Sequence, residues 1–207
     1  MPRTYQFNKV CGLDTFEVVF QGRKVHFLNV VCHGTNYQSI SLLEELTAKE
    51  VWRHFSRDWI RIFGPSEIAI TDGGSEFLAE FERKLEQQGV LQQVTDAYSP
   101  WQNGRCERHG AWNKDILEAA IASRCISSLS ELELLSHEVA AAKNRYLHRG
   151  GFSPYQLVFG QNPRLPNELL SDDGIDVVGT SDLSGTAGDQ DSVAAEYARE
   201  HFIRSKA

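Results

Sequence analysis

At 207 residues, with 41% hydrophobic and 24% charged side chains, the chain has the composition of an ordinary globular protein: one well-buried domain with an appendage, neither disordered nor fibrous. No apolar run approaches the roughly 18 residues of a transmembrane helix, and the Met1-Pro2-Arg3-Thr4 start carries no basic-then-apolar signal, so an intracellular, non-secreted protein with no membrane partner is expected. The formal charge of −7 is uneven, because residues 171–207 hold 8 acidic and 3 basic side chains and leave 20 against 18 for the rest, so the body is close to neutral and has room for a local basic face.

Leu13 to Phe20 mixes β-branched and aromatic residues, and Gln21-Gly22-Arg23-Lys24 supplies a polar turn before the apolar run Val25 to Val31, which predicts a hairpin. After the turn residues His33-Gly34-Thr35-Asn36, the alternation from Tyr37 to Leu43 predicts a third antiparallel strand. Thr47-x-x-Glu50 is a capping-box pattern, and Val51, Phe55, Trp59 and Ile62 recur at helical spacing until Gly64-Pro65 stops the helix. Glu67 to Thr71 predicts a short buried strand. Phe77, Phe81 and Leu85 line a helix ending at Gly89, and Leu91 to Thr95 follows as a strand. This switch to strand, helix, strand implies right-handed crossovers and parallel pairing in one sheet.

Tyr98 to Gly104 is a turn-rich loop feeding a helix whose apolar face holds Trp112, Ile116 and Ala120, with Leu117 and Ile121 beside them. Ser130-x-x-Glu133 predicts the cap of a long helix with Leu132, Leu135, Val139, Ala142 and Tyr146 on one side, ending at Gly150-Gly151. Ser153-Pro154 then opens a short helix, Tyr155 to Phe159. From Ser171 to Asp191 the composition turns to Asp, Gly, Ser and Thr, predicting a flexible acidic linker, and the Ala-rich stretch Val193 to Lys206 predicts a terminal helix without a stop signal, as in a chain cut from something longer. The expected division is residues 1–170 as one core and 171–207 as an acidic extension. The four cysteines, Cys11, Cys32, Cys106 and Cys125, form no C-x-x-C pair, so reduced thiols are expected.

Three acids occupy related places: Asp14 in the first strand, Asp72 directly after the fourth, and Glu107 near the start of the helix after the loop. With the first and fourth strands adjacent, the two aspartates meet and the helix brings Glu107 over them. Carboxylates converging in this way suit one or two hard divalent cations, and without a cation they would repel one another. Taken singly, Asp72 with Gly73-Gly74 is a turn, Glu107 a solvated helix residue and Asp14 a polar strand position; their joint occurrence at these element ends carries the functional reading.

The stretch Tyr98-Ser99-Pro100-Trp101-Gln102-Asn103-Gly104-Arg105-Cys106-Glu107 resembles the signature of the integrase catalytic core of retroviruses and LTR retrotransposons. Thr71-Asp72-Gly73-Gly74-Ser75-Glu76-Phe77 resembles that family's second block and the Asp14 strand its first, while Gly151 to Pro166 is similar to the segment that commonly follows this core in retroelement polyproteins. The likeness covers about residues 8–170 in order. It implies an α/β, RNase H-like fold with a five-stranded mixed sheet flanked by helices, and catalytic and metal-binding roles for Asp14, Asp72 and Glu107. It further implies two Mg2+ or Mn2+ ions for in-line phosphoryl transfer on DNA in 3′-end processing and strand transfer. The implied partners are element-end and target DNA and a homodimer or higher oligomer, and the implied location is the nucleus.

Gln102, Asn103, Arg105 and Lys114 are the implied DNA contacts; Gln102 and Asn103 are equally readable as turn residues, and Arg105 with Arg108 as exposed helix arginines. Trp101 is either a base-stacking residue or a loop anchor. His109 is expected to pack or face solvent, and Trp52, Trp59 and Trp112 to belong to the core. The chain departs from the family at Ala111, where a basic residue is frequent. It also has 34 residues between Asp72 and Glu107, one short of the usual spacing, and lacks the His-His-Cys-Cys set and the basic barrel that flank such cores. An alternative is a degenerate or domesticated fragment serving as a nucleic-acid-binding or protein-interaction module; a third is another RNase H-like nuclease of the DDE transposase kind, against which the Pro154 to Pro166 segment argues.

Overall fold

The computed structural model describes residues 6–95, 104–123, 126–146, 151–161 and 163. Strands β1 (Val10–Phe20) and β2 (Arg23–Cys32) form the expected hairpin, turning on two residues only: Gln21 and Gly22 have φ of 49° and 76°, the left-handed pair that matches the twist of the flanking strands. Arg23 and Lys24, expected in the turn, already pair with Phe20 and Val19. β3 (Gln38–Leu43) pairs antiparallel with β2, while β4 (Ile68–Thr71) lies parallel beside β1 and β5 (Leu91–Val94) parallel beside β4. The order β3-β2-β1-β4-β5 is the mixed five-stranded sheet of the RNase H-like fold.

Alternation along the strands feeds two cores. On one face Cys11, Leu13, Leu28 and Val30 meet Val51 and Phe55 of α1 (Ala48–Phe55) and Phe81 and Leu85 of α3 (Glu80–Gln87). On the other, Val18, Phe27 and Ile40 meet Ile116, Leu117 and Ala120 of α4 (Gly104–Ala122) and Leu132, Leu135 and Val139 of α5 (Leu129–Tyr146). Trp59, Phe55, Phe27, Phe77 and Phe81 are fully buried, each contributing about 1.5–3 kcal/mol by leaving water.

Four local expectations are corrected. The helix from Thr47 is interrupted: α1 runs into a π-helical turn, Ser56–Ile60, before α2 (Arg61–Phe63). The wider turn rotates α2 about its axis, so Phe63 packs on the core and Ile62 is 57% exposed. Phe77 belongs to a separate 3-10 turn, Ser75–Phe77, with Ala79 at φ 49° breaking it from α3. The long helix is capped by Ser128, whose Oγ accepts from Glu131 N at 3.2 Å, and not by Ser130. The Thr47 cap forms, but Glu50 turns its carboxylate to Arg53 and His54 instead of closing a box. Ser153 makes a complete capping box with Gln156 at the start of α6 (Pro154–Phe159).

Trp59 is buried as expected, and Trp52 and Trp112 pack half-buried against the two cores. Cys11, Cys32 and Cys106 are free and buried. Among the described residues no helix is long and apolar enough to cross a membrane. The loop 98–103 and the acidic extension 171–207 lie outside the described residues.

The π-helical turn is bound to the sheet by a charged contact: Asp58 Oδ2 accepts from Ser41 Oγ at 2.7 Å, and Arg57 donates to Asp58 through Nε at 2.6 Å and Nη2 at 2.8 Å. Although partial burial opposes it, these donors, with His54, hold the Asp58 carboxyl well below the ordinary range. A depressed folded value stabilises the fold above the unfolded carboxylate range and is lost as the pH falls below it. Asp58→Asn is therefore expected to cost about 1–2 kcal/mol at pH 7, a cost that begins to shrink as the pH falls below about 4 and keeps shrinking below pH 3, measured by urea unfolding.

Candidate active site

β1 and β4 are parallel neighbours, paired at Gly12 and Ile70. Two residues further along each chain, Asp14 and Asp72 emerge on the same face, because side chains alternate along a strand. α4 packs on this face with Glu107 in its first turn. Gly110, one turn beyond Glu107, marks the close approach: a Cβ there would stand 3.7 Å from Asp14 Oδ2 and 3.2 Å from Asn29 Nδ2.

The electrostatics reflect this crowding. Burial pushes the Asp14 carboxyl up to about 7, with Asp72 the next cause and Glu107 and Glu76 adding to it. The Thr15 N–H, donating to Asp14 Oδ1 at 2.9 Å, opposes the rise without cancelling it. Asp72 closes its own turn, Oδ1 accepting from Gly74 N at 3.1 Å. Glu76, which sequence reasoning passed over, is buried here as a fourth acid, and its Oε1 accepts from Thr15 Oγ1 at 2.8 Å. Its side chain folds over Gly74, where a Cβ would come within 2.7 Å of Glu76 Oε2.

None of Asp14, Asp72 and Glu107 pairs with a lysine, arginine or histidine among the described residues. The donor set is all carboxylate oxygen, the preference of Mg2+ and Mn2+, and Asp14 is raised by burial first and by its acidic neighbours next. The chemistry of the residues thus fits a hard divalent cation. Among the described residues, however, no three His, Cys, Asp or Glu side chains are already gathered closely enough to ligate one.

Of the expected DNA contacts, Gln102 and Asn103 lie outside the described residues. Arg105 donates from Nη1 to the His33 carbonyl at the end of β2, so part of its guanidinium is engaged with the protein. Lys114 is half-buried on α4, its Nζ 3.7 Å from Glu118. Arg108 is exposed, with Nε donating to Gly104 O at 3.0 Å. His109 is half-buried and pushed down to about 2, by burial first and then by Lys143 and the neighbouring arginines. His33 is pushed down to about 4 by burial and by Arg105. Lys143 is itself 1% exposed, donates to Asn36 O at 3.0 Å, and is held well below the ordinary lysine range by burial.

A buried amide chain, also unforeseen, links α4 to α5. Asn29 Nδ2 donates to Cys106 O at 2.9 Å, and Asn29 Oδ1 accepts from Gln38 Nε2 at 2.7 Å. Asn144 clamps the Gln38 backbone, accepting from its N–H at 2.9 Å and donating to its carbonyl at 2.8 Å. The signal was available: Asn29 is the polar interruption of the apolar run Phe27-Leu28-Asn29-Val30-Val31, and a fully buried amide there must find partners.

No protein-family model and no curated protein matches the chain. Solved structures do. A chain of the simian T-cell lymphotropic virus intasome, solved in complex with PP2A regulatory subunit B56 gamma, is 16% identical with a TM-score of 0.68 over 91% of this chain; this chain spans only 63% of that one's length. The HTLV-2 integrase catalytic core domain, in a dimeric form in complex with magnesium, is 17% identical with a TM-score of 0.60 over 73% of this chain and 96% of that one. The catalytic core domain of BIV integrase is 19% identical with a TM-score of 0.55 over 72% and 93%. The fold of this chain is that of retroviral integrase catalytic cores.

The raised Asp14 value gives a stability effect whose sign is fixed. A carboxyl whose folded value is lifted from 3.8 to about 7 destabilises the metal-free fold progressively as the pH rises through that interval. In chelator, Asp14→Asn is expected to be more stable than the parent by on the order of 1–2 kcal/mol at pH 8 and indistinguishable from it at pH 4, read from paired urea titrations.

Proposed function

We propose that this chain is the catalytic core of a retroelement integrase, transferring phosphoryl groups on DNA with bound magnesium or manganese. The observation that supports it most is that the Asp14 carboxyl, raised first by its burial, is raised further by the charges of Asp72 and Glu107, which come from two other elements at the same end of the sheet. The likeness of the whole fold to retroviral integrase cores, including one solved with magnesium, supports the same reading.

In this reading Asp14, Asp72 and Glu107 would hold two divalent cations, which would ease deprotonation of the attacking oxygen and stabilise the charge developing on the leaving oxygen of an in-line displacement. The protein's own part is to hold the acids on rigid elements: Asp14 in the central strand, Asp72 fixed by its turn through Gly74, Glu107 on a 19-residue helix. Arg105 and Arg108 flank Glu107 and Lys114 comes two turns on, so α4 presents positive charge to phosphates on either side of the acids. Gln102 and Asn103, just before α4, belong to the same DNA-facing segment. Element-end and target DNA are the proposed substrates, a homodimer or larger oligomer the proposed assembly, and the nucleus the proposed location. Residues 1–170 form the proposed core and 171–207 its acidic extension.

The decisive experiment is a disintegration assay on branched DNA with Mg2+ and Mn2+. The chain is expected to cleave and rejoin the branch, and Asp72→Asn to lose at least about 100-fold in rate with its circular dichroism unchanged. A folded protein that binds DNA and leaves it intact with every metal would instead identify a binding module.

Lys114 gives a separate test in DNA binding. Lys114→Ala is expected to weaken binding at all sequences alike and to reduce the slope of log affinity against log salt by about 0.7–0.9, read by fluorescence anisotropy. An unchanged slope would place Lys114 away from phosphate.

A further inference from the structure

We propose that Asn29 is a positioning residue for Glu107, setting the height of the catalytic helix above the strand that carries Asp14; this rests on the reading of Asp14, Asp72 and Glu107 as the reacting centre. Asn29 is fully buried and lies directly across the β1–β2 pair from Asp14, so both side chains leave the sheet on the α4 face. Whatever Asn29 holds is therefore held in fixed relation to Asp14.

What it holds is the peptide that joins Cys106 to Glu107. The carbonyl of that peptide is Cys106 O, which accepts from Asn29 Nδ2 at 2.9 Å. Inside a helix this oxygen already has a backbone partner available one turn on, so the amide contributes location more than satisfaction. Its orientation is not free to reverse. Gln38 Nε2 donates to Asn29 Oδ1 at 2.7 Å, which assigns oxygen to that side and the donating nitrogen to α4. Gln38 Nε2 also reaches His109 O at 3.3 Å, and its backbone is held from both sides by Asn144 on α5.

Two carbonyls of the first turns of α4, on either side of Glu107, are thus tied to side chains of β2 and β3. Gly110 completes the device, since a Cβ at that position would stand 3.2 Å from Asn29 Nδ2 and press the helix away. Further down the same interface the contacts change character: Phe16 stacks on Phe27 with centroids 5.2 Å apart, and Ile116, Leu117 and Ala120 pack on the sheet. Apolar packing there supplies adhesion and tolerates sliding, whereas the directed bonds at Asn29 fix position.

The test compares Asn29→Leu, which keeps the shape and removes the donor, with Val139→Ala, a cavity in the same core away from the site. Both are examined at temperatures where each is fully folded. Amide exchange over residues 104–111 is expected to rise about 10-fold or more in Asn29→Leu relative to Val139→Ala at matched global stability. In the disintegration assay, half-saturation by Mn2+ is expected to rise about 10-fold while the KM for DNA stays within about 2-fold. Should Asn29→Leu not fold, Gln38→Leu, which removes the group that orients Asn29, is read in the same way. Equal exchange in the two variants overturns the proposal, and so does faster exchange with an unchanged Mn2+ dependence, which reduces Asn29 to packing. If the parent protein shows no turnover with any metal, the reading of the reacting centre falls, and the exchange comparison alone decides whether Asn29 fixes the helix.

Discussion

Placing a helix carboxylate over a strand carboxylate demands an unusually close approach of backbone to sheet, and the molecule meets that demand at Gly110. A Cβ at this point would stand tight against Asn29 Nδ2 at 3.2 Å and in contact with Asp14 Oδ2 at 3.7 Å. Around it the α4 interface divides into a polar end, where Asp14, Asn29, Gln38 and Cys106 meet, and an apolar end built from Phe16, Phe27, Val18 and Ile116. The apolar end supplies cohesion. The polar end carries a cost, because buried amides and carboxylates must each find partners or raise the energy of the fold.

The opposite face of the sheet is held by a second, aromatic cluster. There Trp59, Phe63, Phe7 and Tyr37 form an aromatic cluster with centroids 5.1–6.4 Å apart, and Phe159 of α6 joins it through Tyr37 at 5.9 Å. Asn8 ties it to the chain just before β1, accepting from Trp59 Nε1 at 2.9 Å and donating to Phe63 O at 3.1 Å. Central strand and helical layer are thereby joined away from the acids, so strain at the carboxylate end is carried by a rigid remainder.

Much of this was legible in the sequence because periodicity dictates it. Residue patterning marked every sheet strand and the long helices, and with them the places of Asp14 within the central strand, Asp72 just past β4 and Glu107 in the first turn of α4. The features that escaped have identifiable causes. Ser128 and Ser130 each begin a Ser-x-x-Glu pattern, and the backbone chose the earlier, where Glu131 also accepts from Ser127 N at 2.7 Å. The π-helical turn that swings Ile62 outward answers a tertiary demand, the Ser41–Asp58 contact and the aromatic pocket for Phe63, which no local propensity encodes. Asn29 is a single polar letter in the apolar run Phe27 to Val31 and Gln38 one of three polar letters in β3, and the meaning of Asn29 depends on a helix residue 77 positions away in sequence.

The groups around the start of α4 bear on how the acids can be balanced. His33 and His109 are pushed down to about 4 and 2, which leaves both uncharged at neutral pH, and Lys143 is weakened by its own burial. Arg105 directs a donor to the His33 carbonyl, and Lys114 leans toward Glu118. Of the basic groups at this end of α4, His33, His109 and Lys143 therefore bring less than a full charge to the carboxylates, and the arginines remain charged. An enzyme stabilised only by internal salt bridges would have filled this place with an arginine on Asp14, and such a pair would occupy the oxygens that a cation needs. None of the three acids takes such a partner among the described residues, so a divalent cation approaching them would meet no competing basic side chain.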